Sequence, residues 1–206
     1  MKKYRFFLYL LDNKIIFYEE NGPIFIETFP KKIISEGKII HRPKFVKFFH
    51  LFIKKHHFLK PFCNHMLYII IPSCFEEVDK EILKNTFDDL KFTECHLIKE
   101  TNLIPIKRNE LWIHWNDNYL QMFFMDRKQN LECETLKEGF LRTSLDDQVI
   151  QFLKKDNKIR KVFIYGQNKK IPSNCSQIIK KTNKNCYYFE DFDNYLLKLI
   201  KKHKLT

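Results

Sequence analysis

The chain has 206 residues, of which 44% are hydrophobic, and a formal net charge of +12. This length is sufficient to bury a core, as one domain or as two small lobes, and the 21 phenylalanines argue against a disordered chain. The charge suits a nucleic acid or an anionic membrane surface as a partner. Because the basic residues are spread along the whole chain, a lysine-rich coding background explains the charge equally well.

Glycine and cysteine usage excludes several kinds of site. The 4 glycines stand alone in the sequence, so neither a P-loop nor a G-x-G-x-x-G fingerprint can form. The 6 cysteines contain no C-x-x-C pair, which is typical of a reduced cytosolic protein without a disulfide framework. No common zinc motif is present, and no segment approaches the roughly 20 apolar residues of a membrane span.

The first half is predicted as a β-meander followed by alternating helices and strands. Strands are expected at residues 6–11, 15–18 and 24–29. Pro43 opens an amphipathic helix that carries a phenylalanine stripe, and residues 66–71 form a central strand. A second helix follows, with Ser73 as its N-cap, Glu76 completing a capping box, and a strand at 95–98 after it. Its expected buried side consists of Val78, Ile82, Leu83 and Leu90.

The second half repeats this order in abbreviated form. A hairpin is expected over residues 111–125, strand-like residues at 131–136, and a helix that Ser144 caps. A buried strand at 162–165, a small helix near 178, a strand at 187–189 and a final helix from Asp191 complete the chain. Two βββαβα-like halves are typical of the duplicated α/β fold of actin-like and ribonuclease-H-like proteins. The predicted subdomains are residues 1–107 and 108–206.

One segment is similar to a known family. Residues 69–106, IIIPSCFEEVDKEILKNTFDDLKFTECHLIKETNLIPI, resemble the central segment of bacterial actin homologues of the MreB, rod-shape-determining family. The matching residues are Pro72, Ser73, Glu77, Val78, Leu97, Ile98 and Glu100. Residues 13–30, 29–57 and 161–191 resemble the family more thinly. Its members are longer, and the shortfall falls where their two outer subdomains are inserted, so the resemblance implies the two inner subdomains alone.

The resemblance also implies where a nucleotide site would lie. The first phosphate turn of the family, Asp-Leu-Gly-Thr, falls on residues 9–12, where Tyr9 replaces the carboxylate, Leu11 replaces the glycine and Asp12 ends the turn. The adenosine loop keeps only Gly166. Phosphate binding at such turns requires close approach of backbone N–H groups and carboxylates that organise Mg²⁺, and this chain has lost both at the first turn.

The second phosphate turn, Asp-Ile-Gly-Gly-Gly-Thr-Thr in the family, is altered as strongly. It falls on residues 114–120, which begin with His114 and include Asn116, Asp117 and Asn118. The carboxylate of Asp117 would place a negative charge where a phosphate would sit. We interpret His114, between two apolar residues of a buried strand, as a core or interface histidine.

Glu100 stands where the family has the glutamate that polarises the attacking water. One carboxylate without phosphate contacts or metal ligands cannot position an in-line attack on a phosphate. We therefore expect no ATPase activity, no bound ATP or Mg²⁺, and no other metal site. The chain is predicted to be a degenerate actin homologue.

The expected function is that of a non-enzymatic accessory or scaffold protein in bacterial cytoskeletal or cell-shape work. Its expected partners are a full-length actin homologue or a cell-shape complex, and further an anionic membrane surface. The expected location is the cytoplasm, including the inner face of the membrane. Two alternatives stay open: a nucleic-acid-binding protein of ribonuclease-H-like fold, and an actin homologue that still binds ATP through His114, Asn116 and Asn118.

Overall fold

The chain folds into two compact units. The computed structural model describes residues 2–11, 14–20, 22–30, 33–35, 38–72, 75–115, 119–126, 128, 130–137, 145–155, 158–166, 171–189, 195 and 198–199. Unit 1 is Met1–Asn102 and unit 2 is Leu103–Thr206. Each unit has its own sheet and its own apolar core.

Unit 1 is built on a five-stranded mixed sheet. Its elements are β1 (Lys3–Leu11), β2 (Lys14–Glu19), β3 (Ile24–Thr28), β4 (Ile34–Ser35), β5 (Lys38–Ile39), α1 (Arg42–Lys55), β6 (Asn64–Ile71), α2 (Glu77–Asp88), β7 (Glu94–Lys99) and the 3₁₀ turn Glu100–Asn102. The strand order is β3-β2-β1-β6-β7. The first three strands are an antiparallel meander, whereas β6 and β7 run parallel to β1.

Unit 2 repeats this topology. Its elements are β8 (Glu110–Trp115), β9 (Tyr119–Met125), β10 (Leu131–Lys137), α3 (Leu145–Lys155), β11 (Lys161–Gly166), α4 (Ile171–Thr182) and β12 (Asn185–Tyr188). The strand order β10-β9-β8-β11-β12 again joins a three-stranded meander to two parallel strands. The predicted duplication of a βββαβα unit is thereby confirmed.

Phenylalanine packing holds α1 on the sheet of unit 1. The predicted stripe of α1 buries Phe45, Phe49, Phe52 and Ile53. Phe17 of β2 meets Phe49 and Phe52 edge to face, with ring centroids 5.9 Å and 5.5 Å away. Full burial of one such side chain contributes roughly 2 kcal/mol, so packing, more than helix propensity, keeps α1 in place.

The start and the buried face of α2 differ from the prediction. Glu76 is the N-cap, and its backbone N–H donates to Asp79 Oδ2 over 3.1 Å; the predicted cap, Ser73, lies outside the described residues. Val78 is 67% exposed and Ile82 42% exposed, so the prediction that they are buried is wrong. The helix instead buries Leu83, Thr86 and Phe87, followed by Leu90.

The helical period explains this correction. Each residue of an α-helix advances about 100° around the axis, so Ile82 cannot share the stripe formed by Leu83, Phe87 and Leu90. The side that carries Phe87 is buried, where this ring meets Phe45 and Phe49 of α1 edge to face. Of the other predicted helix starts, Ser144 and Asp191 fall in parts of the chain that the structure does not describe. No helix in the described ranges is long and apolar enough to cross a membrane.

Candidate nucleotide site

The parallel strands of unit 1 bring two predicted site residues together. Tyr9 lies near the carboxyl end of β1, and Glu100 directly follows β7. Since β1, β6 and β7 are parallel, their carboxyl ends meet at one edge of the sheet. There the Tyr9 hydroxyl donates a hydrogen bond to Glu100 Oε2 over 3.4 Å.

Both partners of this hydrogen bond are buried. Tyr9 is 5% exposed, and Glu100 is 0% exposed. A carboxylate in such a place must be hydrogen-bonded, because an unpaired buried charge costs several kcal/mol. A general base must also reach the proton that it abstracts, directly or through one water. The Glu100 carboxylate is enclosed and bonded to a phenol at the position where the resemblance implies a carboxylate.

The first turn is short and follows an apolar residue. Leu11 pairs with Lys14 across the β1–β2 hairpin, so only residues 12 and 13 connect the strands. The Leu11 side chain is 9% exposed and carries no polar group toward a ligand. Asp12 falls between described ranges.

The second turn connects β8 and β9. Trp115 pairs with Leu120, and the predicted site residues Asn116, Asp117 and Asn118 fall in a gap of the described chain. His114, at the penultimate position of β8, is half-buried and stacks on Tyr165 with ring centroids 4.8 Å apart. Its ring therefore belongs to the aromatic packing between β8 and β11.

Gly166 is required by its close approach to a neighbouring strand. It ends β11, pairs with Trp115 of β8 and has a φ of +136°. A Cβ at this position would lie 2.0 Å from the Trp115 carbonyl oxygen. Only glycine fits such an approach and such a φ. The glycine that the resemblance places in the adenosine loop thus has a structural reason of its own.

A buried polar group in unit 2 was missed by the sequence interpretation. Glu110, 6% exposed at the start of β8, accepts hydrogen bonds from the Trp112 Nε1–H and the Lys107 backbone N–H, both over 3.3 Å. Burial, together with the charge of Glu110, raises the pKa of Tyr195, whose ring stacks on Trp112. A charged residue opening an otherwise apolar strand is the sequence signal of this group.

The described residues contain no metal centre. No three His, Cys, Asp or Glu side chains among them are placed to hold a metal ion together. Tyr9 and Glu100 come together in unit 1, whereas His114 and Gly166 lie next to Tyr165 and Trp115 in unit 2.

Comparison with known proteins defines the class of the fold. No family model matches the sequence, and no curated protein matches it. MreB5 of Spiroplasma citri bound to AMPPNP is similar in structure, with a TM-score of 0.68, 10% identity, and coverage of 100% of this chain and 97% of that chain. The MamK double helical filament has a TM-score of 0.68, 8% identity, and coverage of 100% of both chains.

A third similar structure is a protein of Bacteroides thetaiotaomicron with an actin-like ATPase fold and unknown function. Its TM-score is 0.56 and its identity 11%, over 98% of this chain and 97% of that chain. At these identities the likeness concerns the fold alone. The chain has an actin-like fold, as the duplicated sheets indicate.

Proposed function

We propose that this protein is a non-enzymatic, MreB-related accessory or scaffold protein of the bacterial cytoskeleton, with a nucleotide site that no longer holds Mg-ATP. The observation that carries the proposal is the buried hydrogen bond between Tyr9 and Glu100. It replaces a pair of carboxylates, one organising Mg²⁺ and one activating water, by a phenol bonded to the remaining carboxylate. A phenol is not a ligand that Mg²⁺ prefers.

The packing at the remaining site positions supports the same proposal. Leu11 presents an apolar side chain beside the first turn, and Gly166 is explained by its approach to Trp115. Phosphoryl transfer depends almost entirely on positioning and on charge stabilisation by metal ions and N–H groups. A chain that has replaced these groups while keeping both sheets retains a folded surface for partners.

The proposed partner is a full-length actin homologue or a cell-shape complex containing one. MamK, which has a similar fold, forms a double helical filament. Assembly on or beside such a filament requires a folded surface and no nucleotide chemistry from the accessory chain. We place the protein in the cytoplasm, with the anionic inner face of the membrane as a further contact. Each lysine near such a surface contributes about 1 kcal/mol to binding.

Co-sedimentation tests the partner. The purified chain is mixed with the MreB-type homologue of its own host, polymerised with ATP, and the filaments are pelleted. We expect the chain to pellet with filaments and to stay in the supernatant without them. It should add no ATPase activity of its own to that of the filaments. A native pull-down that recovers only nucleic acid, together with no co-sedimentation, would contradict the proposal.

The net charge favours a second candidate function, binding of nucleic acid. Hydrolysis of the nucleic acid is disfavoured, because ribonuclease-H-like nucleases need several carboxylates around two metals. Strand β1 offers Tyr9 where one of these carboxylates is needed. Binding alone would show a steep loss of affinity with rising salt. The absence of retention on heparin at low salt would remove this candidate.

A further inference from the structure

A small cavity in unit 1, separate from the nucleotide site positions, has a basic rim. It has a volume of about 230 Å³ and lies between the end of α1 and the turn after α2. Its basic lining residues are His50, Lys54, His57 and Lys91. His50 and Lys54 are spaced at i and i+4, so the helical period places them on one side of α1, and His57 follows the end of that helix.

The floor of the cavity is apolar. Ile53 and Leu90, which are 6% and 3% exposed, form it together with the half-buried Leu59. No aspartate or glutamate is among the described residues that line it. Asp89, close by in sequence, is bound by Arg42 through an Nη2–Oδ2 contact of 2.8 Å. The rim is therefore positively charged without an acidic side chain inside it.

Hydrogen bonds at the end of α1 reduce the negative charge that a helix C-terminus would present to an anion. The carbonyl of Lys54 accepts the His57 N–H over 3.2 Å, and the carbonyl of Ile53 accepts the Phe58 N–H over 3.3 Å. These bonds satisfy carbonyls that would otherwise present partial negative charge at a helix C-terminus. Two cavity residues, His57 and Lys91, hold a left-handed backbone, with φ of 53° and 62°. A left-handed residue of this kind commonly follows a helix end, so these two residues turn the chain at the cavity.

We propose that this cavity binds a phosphate group carried on a short apolar stem. Lysine and histidine side chains supply charge-assisted donors to the phosphate oxygens, while Ile53, Leu59 and Leu90 cover the stem. The volume is below the roughly 300–1,000 Å³ of pockets that enclose drug-sized molecules, so the cavity holds a phosphate group and its stem and leaves the rest of a larger molecule outside. The source is a phospholipid headgroup or a free phosphate ester. The site is independent of the nucleotide positions and of the proposed cytoskeletal role.

A matched pair of double variants tests this site in the full chain. Lys54→Gln with Lys91→Gln removes two charges from the rim, whereas Lys44→Gln with Lys47→Gln removes two exposed charges of α1 that do not line the cavity. Calorimetric titration with n-butyl phosphate is expected to show an affinity at least about tenfold lower for the rim variant than for the wild-type chain. The affinity of the control variant should be nearly unchanged. Butanol, which lacks the phosphate, is expected not to bind.

Vesicle sedimentation distinguishes the two sources. If the phosphate belongs to a lipid, vesicles with about one-third phosphatidic acid pellet the wild-type chain and the control variant but not the rim variant, and neutral vesicles pellet none. If it belongs to a free ester, the rim variant loses butyl phosphate binding while the three proteins behave alike on vesicles. Equal losses of butyl phosphate affinity in both double variants would overturn the proposal. The absence of butyl phosphate binding by the wild-type chain would overturn it as well.

Discussion

The hydroxyl of Tyr9 on β1 and the carboxylate of Glu100, which are 91 residues apart in sequence, form a buried hydrogen bond of 3.4 Å. The bond joins the first strand of unit 1 to the turn after its last strand. It also engages Glu100, the residue that the MreB resemblance aligns with a water-polarising glutamate. In the proposed account, this contact contributes to the stability of the fold and to the loss of nucleotide binding.

Removing the Tyr9 hydroxyl is expected to destabilise the fold. Tyr9→Phe leaves a buried carboxylate with one donor fewer, which lowers the free energy of unfolding by about 1–3 kcal/mol. Tyr18→Phe is the matched control, because the buried Tyr18 hydroxyl has no hydrogen-bond partner among the described residues. Its removal should be neutral or stabilising. Urea denaturation measures both, and a larger loss for Tyr18→Phe would contradict the assignment.

Gly166→Ala is expected to lower the free energy of unfolding by at least about 2 kcal/mol, because the new Cβ meets the backbone of Trp115 and the φ of +136° disfavours any L side chain. Gly22→Ala serves as the control. A Cβ there would lie 3.0 Å from the Cβ of Glu19, a tight contact that a shift of a few tenths of an ångström relieves, and the φ of Gly22 is not left-handed. Thermal unfolding of both variants compares the costs, and an equally mild effect at Gly166 would show that the two strands are not so close.

His65 is expected to make unit 1 less stable in mild acid. Burial lowers the pKa of His65, with a smaller contribution from Lys60, and its Nε2 accepts the Lys60 backbone N–H over 2.9 Å. The unfolded state therefore binds the proton more readily. The stabilising contribution of neutral His65 is fully present above about pH 6.5 and is lost as the pH falls from there through the lower folded pKa.

Denaturation at several pH values measures this contribution. The stability of His65→Phe should depend less on pH between neutrality and mild acid than that of the wild-type chain. The control variant His41→Gln, at an exposed position, tests whether the change of slope is specific to His65, and an equal change in both variants would contradict the assignment. An unchanged slope in His65→Phe would refute the assignment.

Two cysteines should differ widely in reactivity. Burial raises the pKa of the Cys95 thiol to about 12, whereas Cys133 is exposed. Because the thiolate is the nucleophile, a higher pKa leaves less of it, and iodoacetamide at pH 8 should alkylate Cys95 much more slowly than the exposed Cys133. Peptide mass spectrometry follows both sites in the folded chain and in urea. Equal rates in the folded chain would contradict the raised pKa of the half-buried Cys95.

The spacing of apolar residues along the sequence predicted most of the fold. The stripe of α1 and the two βββαβα units follow from residue spacing, because one side of each element faces a core. The prediction of the buried side of α2 was wrong, because Val78 and Ile82 are as apolar as Leu83 and a short helix can carry two apolar stripes. The helical period separates the two stripes, and the contacts of Phe87 with Phe45 and Phe49 decide which of them is buried. The β4–β5 hairpin is too short to give a periodic signal.

The sequence predicted which positions belong to the candidate site, but not which side chains are in contact there. The replacements at Tyr9 and Leu11 are visible in the sequence, whereas the hydrogen bond to Glu100 depends on the parallel register of strands far apart in the chain. Gly166 was noted as a remnant of a nucleotide loop. Its approach to Trp115 is a property of two backbones, which no side-chain pattern reveals.

Equilibrium binding of a fluorescent ATP analogue, with and without Mg²⁺, tests the central claim most directly. A full-length MreB-type homologue serves as the positive control under the same conditions. The account predicts no saturable, Mg²⁺-dependent binding by this chain in the micromolar range. Micromolar binding that requires Mg²⁺ would show that the phosphate turns still function and would contradict the proposed loss of the nucleotide site.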